Sequence, residues 1–343
     1  MNPSRGQLTL LACNSGKYFA EQMLNTLKTV RKRNDAFRLV PSTEVAFPNG
    51  EVKVTINEAI RGDDVYIVQA LEDPLAKNSI NDRLMALITA IDAARRSDAA
   101  YVSAILLPYP YSRQDKQKAR EAITAGLVAY ILENIGADNV LTLDVHAEAI
   151  AGFFRKATFF NVFPTHTIVR FLKKNFAKDM TNLTVVSPDV GGAVRARFYA
   201  KILHADLALI NKERDYSSIS RVEKVTLIGH VKDKNVLIVD DMVDTAGTMY
   251  SVAKLMKEKG AKNIYLATSY ALLHGPALDR LRQLHHDGMM AAFIATDAVY
   301  RGEEFKKQQP WFYPVTIAPF FAKIINHINH LESTTTLLEE EYS

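Results

Sequence analysis

The segment that most constrains the fold of this chain runs from residue 235 to residue 248 and reads NVLIVDDMVDTAGT. Its apolar residues Val236–Val239 show no polar alternation, which is typical of a strand buried on both faces of a parallel sheet. Two carboxylates, Asp240 and Asp241, are expected where that strand ends, and a helical pattern follows at Met249–Lys259. Because ligands of open α/β sheets bind at the carboxyl ends of strands, the sequence predicts a ligand site here.

The loop between this strand and this helix has the composition of an anion site. Backbone N–H groups of a glycine-containing turn at the start of a helix bind anions, and two threonine hydroxyls add donors. The two carboxylates suit sugar hydroxyls or a hydrated Mg²⁺. A ribose with a 5-phosphate would suit both features, because its hydroxyls can meet the carboxylates and its phosphate the loop. An acidic strand–turn–helix that binds no ligand has the same local pattern. The loop residues are Asp244, Thr245, Ala246, Gly247 and Thr248.

Apolar strand-like runs alternate with helical patterns along most of the chain, and the alternation restarts after an aromatic stretch at Phe153–Phe163. A chain of 343 residues also exceeds what a single core usually holds. We therefore expect an α/β protein with two tandem domains, each a mostly parallel sheet flanked by helices. The first is expected at residues 1–160 and the second at residues 161–343, with a terminal amphipathic helix at 317–328.

Composition narrows the class of protein and of partner. The net charge of +4 comes from 42 basic and 38 acidic residues spread along the chain, which argues against a nucleic-acid partner. The single cysteine, Cys13, excludes an internal disulfide framework and fits a reducing cytosol. No apolar run approaches the ~18 residues of a membrane span. A cytoplasmic protein without a membrane partner is expected.

Two segments of the first half are rich in loop-forming and charged residues. Asn49, Gly50 and Glu51 lie in a turn before an alternating strand, and alone they indicate a structural hairpin turn. Arg113 and Gln114 follow a strand and two prolines that favour an extended exit. An arginine can stack on a purine or bridge phosphates, although a solvated charge run has the same composition.

Two further segments place a potential metal ligand at the end of a strand. Asp144 and His146 are expected to face the same side of a strand, where a histidine is more often structural than a ligand. Asp189 precedes two glycines that let a ligand approach the backbone, and its carboxylate can reach a metal-bound oxygen. An ordinary βα turn is the alternative for this second segment.

The segment from Asn211 to Asp215 carries two cations, Lys212 and Arg214, and leads into the weakly patterned stretch Tyr216–Val225. We expect a mobile loop here, although most charged loops have no catalytic function. The sequence has no Walker-type glycine-rich loop with a lysine, so nucleotide phosphates would need another source of cations.

Taken together and in this order, the motifs resemble those of the ribose-phosphate pyrophosphokinases, or phosphoribosyl-pyrophosphate (PRPP) synthetases, from about Leu8 to Leu338. The resemblance implies two phosphoribosyltransferase-like domains. It also implies transfer of the β,γ-diphosphoryl group of Mg-ATP to the C1 hydroxyl of ribose 5-phosphate, which gives PRPP and AMP. Mg²⁺ as cofactor and a homo-oligomer, hexameric or dimer-based, follow from the same resemblance.

The resemblance also assigns roles to individual residues. It implies ATP binding by Asn49, Gly50, Glu51, Arg113 and Gln114. It implies metal binding by His146 and Asp189, and a catalytic role for Lys212 and Arg214. It implies ribose 5-phosphate binding by Arg214, Asp240, Asp241, Asp244, Thr245, Ala246, Gly247 and Thr248.

The chain departs from the family pattern at Gly126, at Phe160 and at the pair Ser269 and Tyr270. Family members bind phosphate or ADP regulators and pack into hexamers in such regions, so the resemblance does not fix the mode of regulation or the number of subunits. Two alternatives are left open. A phosphoribosyltransferase that consumes PRPP would need only the second half, and a non-catalytic regulatory paralogue would usually lose the loop and metal residues that persist here.

Overall fold

The structure is a computed structural model that describes residues 4–31, 36–214, 223–335 and 337, without the side chains of residues 212–214 and 223–225. The described residues form two compact units. The first comprises those between Met1 and Phe163, Ala298–Arg301, and those between Thr316 and Ser343. The second comprises those between Pro164 and Asp297, and Gly302–Val315.

Strands and helices alternate along both units. The strands of the described residues are β1 (Leu8–Ala12), β2 (Phe37–Val40), β3 (Ser42–Ala46), β4 (Val52–Ile56), β5 (Asp64–Ala70), β6 (Tyr101–Leu107), β7 (Asn139–Leu143), β8 (Thr158–Val162), β9 (Leu183–Ser187), β10 (Asp206–Arg214), β11 (Glu223–Ile228), β12 (Asn235–Val243), β13 (Ile264–Ala271), β14 (Ala292–Thr296) and β15 (Phe312–Val315). The α-helices are α1 (Lys17–Val30), α2 (Ile80–Arg96), α3 (Thr124–Asn134), α4 (Thr165–Asn175), α5 (Ala193–Leu203), α6 (Gly247–Glu258), α7 (Ala277–His286), α8 (Gly302–Gln308) and α9 (Ala318–Asn329).

The first unit is built on a six-stranded sheet in the order β2-β1-β5-β6-β7-β8, in which every neighbouring pair is parallel. All residues of β1, β5 and β7 are buried, which explains why these strands are mostly apolar and show no regular polar alternation. Strands β3 and β4 form a separate antiparallel hairpin. Helix α2 begins with a capping box, in which Ser79 and Asp82 exchange hydrogen bonds.

The second unit contains a seven-stranded sheet in the order β11-β10-β9-β12-β13-β14-β15, in which only the edge pair β10–β11 is antiparallel. Val236 and Ile238 of β12 pack with residues of α6 and α7. Leu237 and Val239 pack with residues of α4 and α5. Successive side chains of a strand point to opposite faces, so this strand is covered on both sides, and the predicted fold class is confirmed.

The terminal helix lies in the first unit, whereas the sequence placed it in the second domain. Phe321 of α9 makes an edge contact with Phe19 of α1, with ring centroids 5.4 Å apart. Asn329 Nδ2 donates to the buried carboxylate of Asp64 at 3.0 Å. An amphipathic pattern shows that a helix packs against a core, but it does not show which core. Within the described residues, no helix is both long and apolar enough to cross a membrane.

Candidate functional site

The sequence predicted that Asp240 and Asp241 lie where strand β12 ends. The strand instead continues to Val243, so both residues lie inside it. The parallel neighbour β13 pairs with β12 as far as Val243↔Ala271, and main-chain pairing of this kind does not depend on apolar side chains. One-fifth of the Asp240 side chain is exposed (20%), whereas Asp241 is buried. The N–H of Asp241 donates to Asp240 Oδ1 at 3.0 Å.

The carboxyl of Asp240 has a pKa well above its usual range. Burial is the largest cause, and the neighbouring carboxylates of Asp241 and Asp189 raise the pKa further. Arg195, whose Nη1 lies 3.9 Å from Asp240 Oδ1, acts in the opposite direction. Arg195 only partly offsets the negative charge of the three aspartates. This remaining charge would stabilise a hydroxyl donor or a cation that binds close to Asp240.

Arg195 was not among the residues singled out from the sequence. It lies in the first turn of α5, directly after the loop that contains Asp189, Gly191 and Gly192. A cation in the first helical turn opposes the helix dipole, which is the signal that would have drawn attention to it. The signal is weak, because only the folded sheet brings this turn next to β12.

The predicted anion loop connects β12 to α6, which begins at Gly247, two residues earlier than expected. Ala246 adopts φ +57°, in the left-handed region, and its carbonyl accepts the N–H of Tyr250 at 2.9 Å. A residue in this conformation next to right-handed neighbours turns successive N–H groups toward a common concave side. The loop thus combines such a concavity with the N-terminus of a twelve-residue helix.

Asp189 lies in the loop between β9 and α5, and its side chain is exposed. Its Oδ1 accepts the N–H of Gly192 at 2.9 Å, and its carbonyl accepts the hydroxyl of Ser187 at 2.7 Å. A Cβ on Gly192 would lie only 2.8 Å from Ser187 Oγ, so a tight turn requires this glycine. The Asp189 carboxylate is thereby fixed at the carboxyl edge of the second sheet.

His146 is exposed near the carboxyl edge of the first sheet, but the expected strand geometry is wrong. Strand β7 ends at Leu143, and Asp144 adopts φ +39° with its N–H bonded to the carbonyl of Val162 at 2.7 Å. Because the chain leaves the strand at Asp144, the alternation of side chains no longer applies. Asp144 is buried and His146 faces solvent.

The segment with Asn49, Gly50 and Glu51 is the turn of the β3–β4 hairpin. Gly50 has φ +91° and donates its N–H to the carbonyl of Phe47 at 2.9 Å. Asn49 Oδ1 accepts the N–H of Glu51 at 3.1 Å. All three residues are exposed, so the turn presents an amide, a carboxylate and backbone groups to solvent.

Arg113 and Gln114 are exposed in the loop after β6, in which the peptide bond between Leu107 and Pro108 is cis. The loop backbone is fixed at its far end, because the N–H of Gln114 donates to the carbonyl of Tyr111 at 2.8 Å. The carbonyl of Gln114 accepts the N–H of Ala125, at the start of α3, at 3.2 Å.

The segment with Lys212 and Arg214 was expected to be a loop, but its backbone continues strand β10. Lys212 pairs with Val225 and Arg214 with Glu223 of β11. The side chains of both cations and residues 215–222, which include Asp215, lie outside the described part of the chain. The predicted catalytic role of these two residues therefore stays a prediction.

The departures from the family pattern are accommodated in regular structure. Ser269 and Tyr270 are buried in β13, and the hydroxyl of Thr296 donates to the carbonyl of Ser269 at 2.6 Å. Gly126 lies in α3, where a Cβ would meet the ring of Phe153 at 3.5 Å, an ordinary contact distance. Phe160 is partly buried in β8.

No three acidic, histidine or cysteine side chains in the described ranges lie close enough together to enclose a metal ion. The two predicted metal residues belong to different units, His146 to the first and Asp189 to the second. A metal ion bound by either residue would therefore depend on oxygen atoms from a ligand or from water in addition to that side chain.

Comparison with known proteins gives concordant matches in both halves. Residues 8–136 match the N-terminal domain of ribose phosphate pyrophosphokinase, and residues 166–286 match the phosphoribosyl transferase domain. The ribose-phosphate pyrophosphokinase of Chlorobaculum tepidum is 39% identical over 296 residues, which cover 86% of each chain. That of Campylobacter jejuni is 38% identical over 292 residues, covering 85% of this chain and 88% of the relative.

A solved structure agrees with these sequence matches. The phosphoribosylpyrophosphate synthetase from Mycobacterium smegmatis aligns with a TM-score of 0.81 at 31% sequence identity. The alignment covers 94% of this chain and 98% of that structure. The similarity therefore extends over both units.

Proposed function

The chain belongs to the ribose-phosphate pyrophosphokinase family, and on that premise we propose that it transfers the β,γ-diphosphoryl group of ATP to the C1 hydroxyl of ribose 5-phosphate. The products are PRPP and AMP. The observation that supports this best is the carboxyl edge of β12, where two carboxylates precede a left-handed turn and a helix N-terminus. This order matches the order of hydroxyls and phosphate along ribose 5-phosphate.

Ribose 5-phosphate binds to residues of the second unit. Asp240 accepts hydrogen bonds from the ribose hydroxyls, whereas the buried Asp241 contributes negative charge beside it. The loop Asp244–Thr248 binds the 5-phosphate through backbone N–H groups and threonine hydroxyls. The helix dipole of α6 adds positive potential at the phosphate. Arg195 limits the proton affinity of Asp240, which keeps more of this carboxyl in the accepting, ionised form.

ATP binds to residues of the first unit. The exposed hairpin turn with Asn49, Gly50 and Glu51 offers the hydrogen-bonding groups that the adenine edge requires. Arg113 supplies a planar cation that stacks on a base or bridges two phosphate oxygens, and Gln114 adds an amide. The support is the exposure of these groups on loops whose backbones are hydrogen-bonded.

Mg²⁺ fits the donor set of the second unit, with Asp189 as a ligand there and His146 as a ligand in the first unit. Asp189 adds to the negative charge that raises the pKa of Asp240, and a dication would offset that charge. Magnesium usually keeps several waters and takes only one or two carboxylates together with substrate phosphates. When bound, it neutralises phosphate charge and orients the chain of phosphates.

Lys212 and Arg214 supply the remaining positive charge. Diphosphoryl transfer requires positioning and neutralisation of charge more than covalent assistance, so two cations at the migrating group would lower the barrier substantially. Arg214 also serves the ribose 5-phosphate site in this assignment.

The test is product analysis after the purified protein is mixed with ribose 5-phosphate, ATP and Mg²⁺. Equimolar AMP and PRPP without ADP is the expected result. ADP without PRPP would indicate ordinary phosphoryl transfer and would overturn the proposal. A lack of AMP across a range of phosphate and metal concentrations would favour the regulatory paralogue, and loss of added PRPP to a nucleobase acceptor would favour the phosphoribosyltransferase.

A homo-oligomer, hexameric or dimer-based, is the second part of the proposal. Its support is the family membership alone. Sedimentation velocity at several protein concentrations measures the state directly, and a single species at 38.3 kDa would contradict it.

A further inference from the structure

Another segment of the second unit makes hydrogen bonds to the predicted phosphate loop, Asp244–Thr248. This segment, residues 273–280, leaves β13 and enters α7, and we call it the clamp segment. The N–H of Leu273 donates to the carbonyl of Val243 at 3.0 Å, and the N–H of His274 donates to the carbonyl of Asp244 at 2.9 Å. The backbone of the clamp segment thus continues the pairing of β12 and β13 past the end of both strands.

Two side chains of the clamp segment add to these backbone bonds. His274 Nδ1 lies 2.9 Å from Asp244 Oδ1, with 54% of the histidine side chain and 29% of the aspartate side chain exposed. Arg280 Nη1 donates to the carbonyl of Thr245 at 2.8 Å. The same Nη1 lies 3.3 Å from the position that a Cβ on Gly247 would occupy. The carbonyls of three consecutive residues, Val243, Asp244 and Thr245, therefore accept hydrogen bonds from this segment.

The geometry of the peptide bond gives these contacts a consequence for anion binding. In a trans peptide the C=O and the following N–H point in opposite directions. Because the carbonyl of Asp244 is held by His274, the N–H of Thr245 points away from the clamp segment. Because the carbonyl of Thr245 is held by Arg280, the N–H of Ala246 also points away. Both donors are thereby aimed before any ligand arrives.

We propose that His274 and Arg280 are positioning residues that preorganise the loop for the 5-phosphate of ribose 5-phosphate. The inference rests on the proposed function, since it takes the loop to be the phosphate site. Neither residue needs to touch the phosphate. Their effect is to remove the cost of ordering the loop when the ligand binds, which raises affinity without any new contact.

The proposal predicts a selective loss of ribose 5-phosphate affinity. We expect His274→Ala to raise the Kd and the KM for ribose 5-phosphate ~3- to 10-fold, and Arg280→Ala to raise them ~10-fold. The KM for ATP and kcat should stay within ~2-fold, because a lost ordering contribution affects binding of this substrate alone. His274→Asn should restore most of the affinity, since its Nδ2 stands at the position of the imidazole Nδ1 and can donate to Asp244.

The experiment is calorimetric titration of ribose 5-phosphate into the full chain, combined with steady-state kinetics for both substrates. Matched controls lie on α7, the helix that carries Arg280. His286→Ala removes an exposed histidine that pairs with Asp287 at 3.1 Å. Arg282→Ala removes an arginine whose Nε contacts Gln309 at 3.3 Å. Both controls should match the unmodified chain within ~2-fold.

Two further variants separate failure of this proposal from failure of the proposed function. Asp240→Asn and Thr248→Val test the site itself. If these weaken ribose 5-phosphate binding while His274→Ala and Arg280→Ala do not, the positioning role is wrong and the site stands. If none of the four affects binding, the assignment of the site is wrong. A fall in kcat with both KM values unchanged, without rescue by His274→Asn, would also overturn the positioning role.

Discussion

Arg195 Nη1 lies 3.9 Å from Asp240 Oδ1, so a cation at the start of α5 opposes the two neighbouring carboxylates that raise the pKa of Asp240. The two residues are far apart in the sequence and belong to different elements, α5 and β12. This relationship links the loop that carries Asp189 to the strand that carries the predicted ribose ligands.

Replacing Arg195 by alanine should therefore raise the pKa of Asp240 further. If the ionised carboxylate binds ribose, the acidic limb of kcat/KM for ribose 5-phosphate should move to higher pH by about one unit. The pH–rate profile measures this directly. Arg197→Ala, an exposed arginine of the same helix, is the control and should leave the profile in place. An unchanged profile for Arg195→Ala would show that Asp240 does not limit the rate at low pH.

Asp240→Asn should separate stability from activity. A carboxyl whose pKa is raised in the folded state contributes stability at low pH and loses it as the pH rises through the folded pKa. The amide removes that loss, so the melting temperature at pH 8 should rise by ~2–4 °C while ribose 5-phosphate affinity falls ~10-fold or more. Calorimetry at pH 4 and pH 8 measures whether the variant gains stability relative to the unmodified chain as the pH rises. Asp279→Asn, whose side chain is 83% exposed, should change neither quantity.

Gly50→Ala should weaken ATP binding through backbone strain alone. A Cβ at Gly50 meets no atom within 4 Å, so the cost comes from its φ of +91° and is about 1 kcal/mol. We expect the KM for ATP to rise ~5-fold and the KM for ribose 5-phosphate to stay unchanged. Gly62→Ala is the control, because Gly62 has φ +77° and equally open surroundings but lies in a different turn. Equal effects of the two variants on ATP would contradict a specific role for the hairpin turn.

Lys212→Ala should lower kcat ~100-fold or more, because removal of one preorganised cation at a developing charge has effects of this size. ATP affinity should fall only a few-fold, since the other ATP contacts are expected in the first unit. Rapid-quench measurement of AMP formation separates chemistry from product release. Lys201→Ala, an exposed lysine of α5, provides the comparison. Normal turnover by Lys212→Ala would remove this residue from the catalytic assignment.

Asn329→Ala should destabilise the first unit, and more so at pH 7 than at pH 4. Burial raises the pKa of Asp64, and the hydrogen bonds from Asn329 and Tyr66 lower it. Without the amide donor the folded-state pKa rises further, so more stability is lost as the pH increases through it. The expected change in the free energy of unfolding at pH 7 is about 2–3 kcal/mol. Thermal unfolding at both pH values gives the answer, with the exposed Asn175→Ala as control.

The sequence by itself determined the two mostly parallel sheets and the strand–loop–helix order of the predicted ribose 5-phosphate site. Both follow from local patterns, since a strand covered on two faces must be continuously apolar and a ligand loop must interrupt that run. The order of strand, loop and helix at residues 235–248 needed no tertiary information, because these elements are consecutive in the sequence. The hairpin turn with Asn49 and Glu51 was predictable for the same reason.

The tertiary structure decided everything that depends on contacts between distant residues. His274 and Asp244 are 30 residues apart, and Asn329 and Asp64 are 265 apart. No periodicity encodes such pairs, because they form only when strands and helices from different parts of the chain reach the same place. The end of β12 was misjudged because its neighbour β13 extends the pairing past the last apolar residue of the run. The terminal helix belongs to the first unit because its apolar face packs there, as in the contact of Phe321 with Phe19, and because Asp64 and Tyr66 of that unit bond to it.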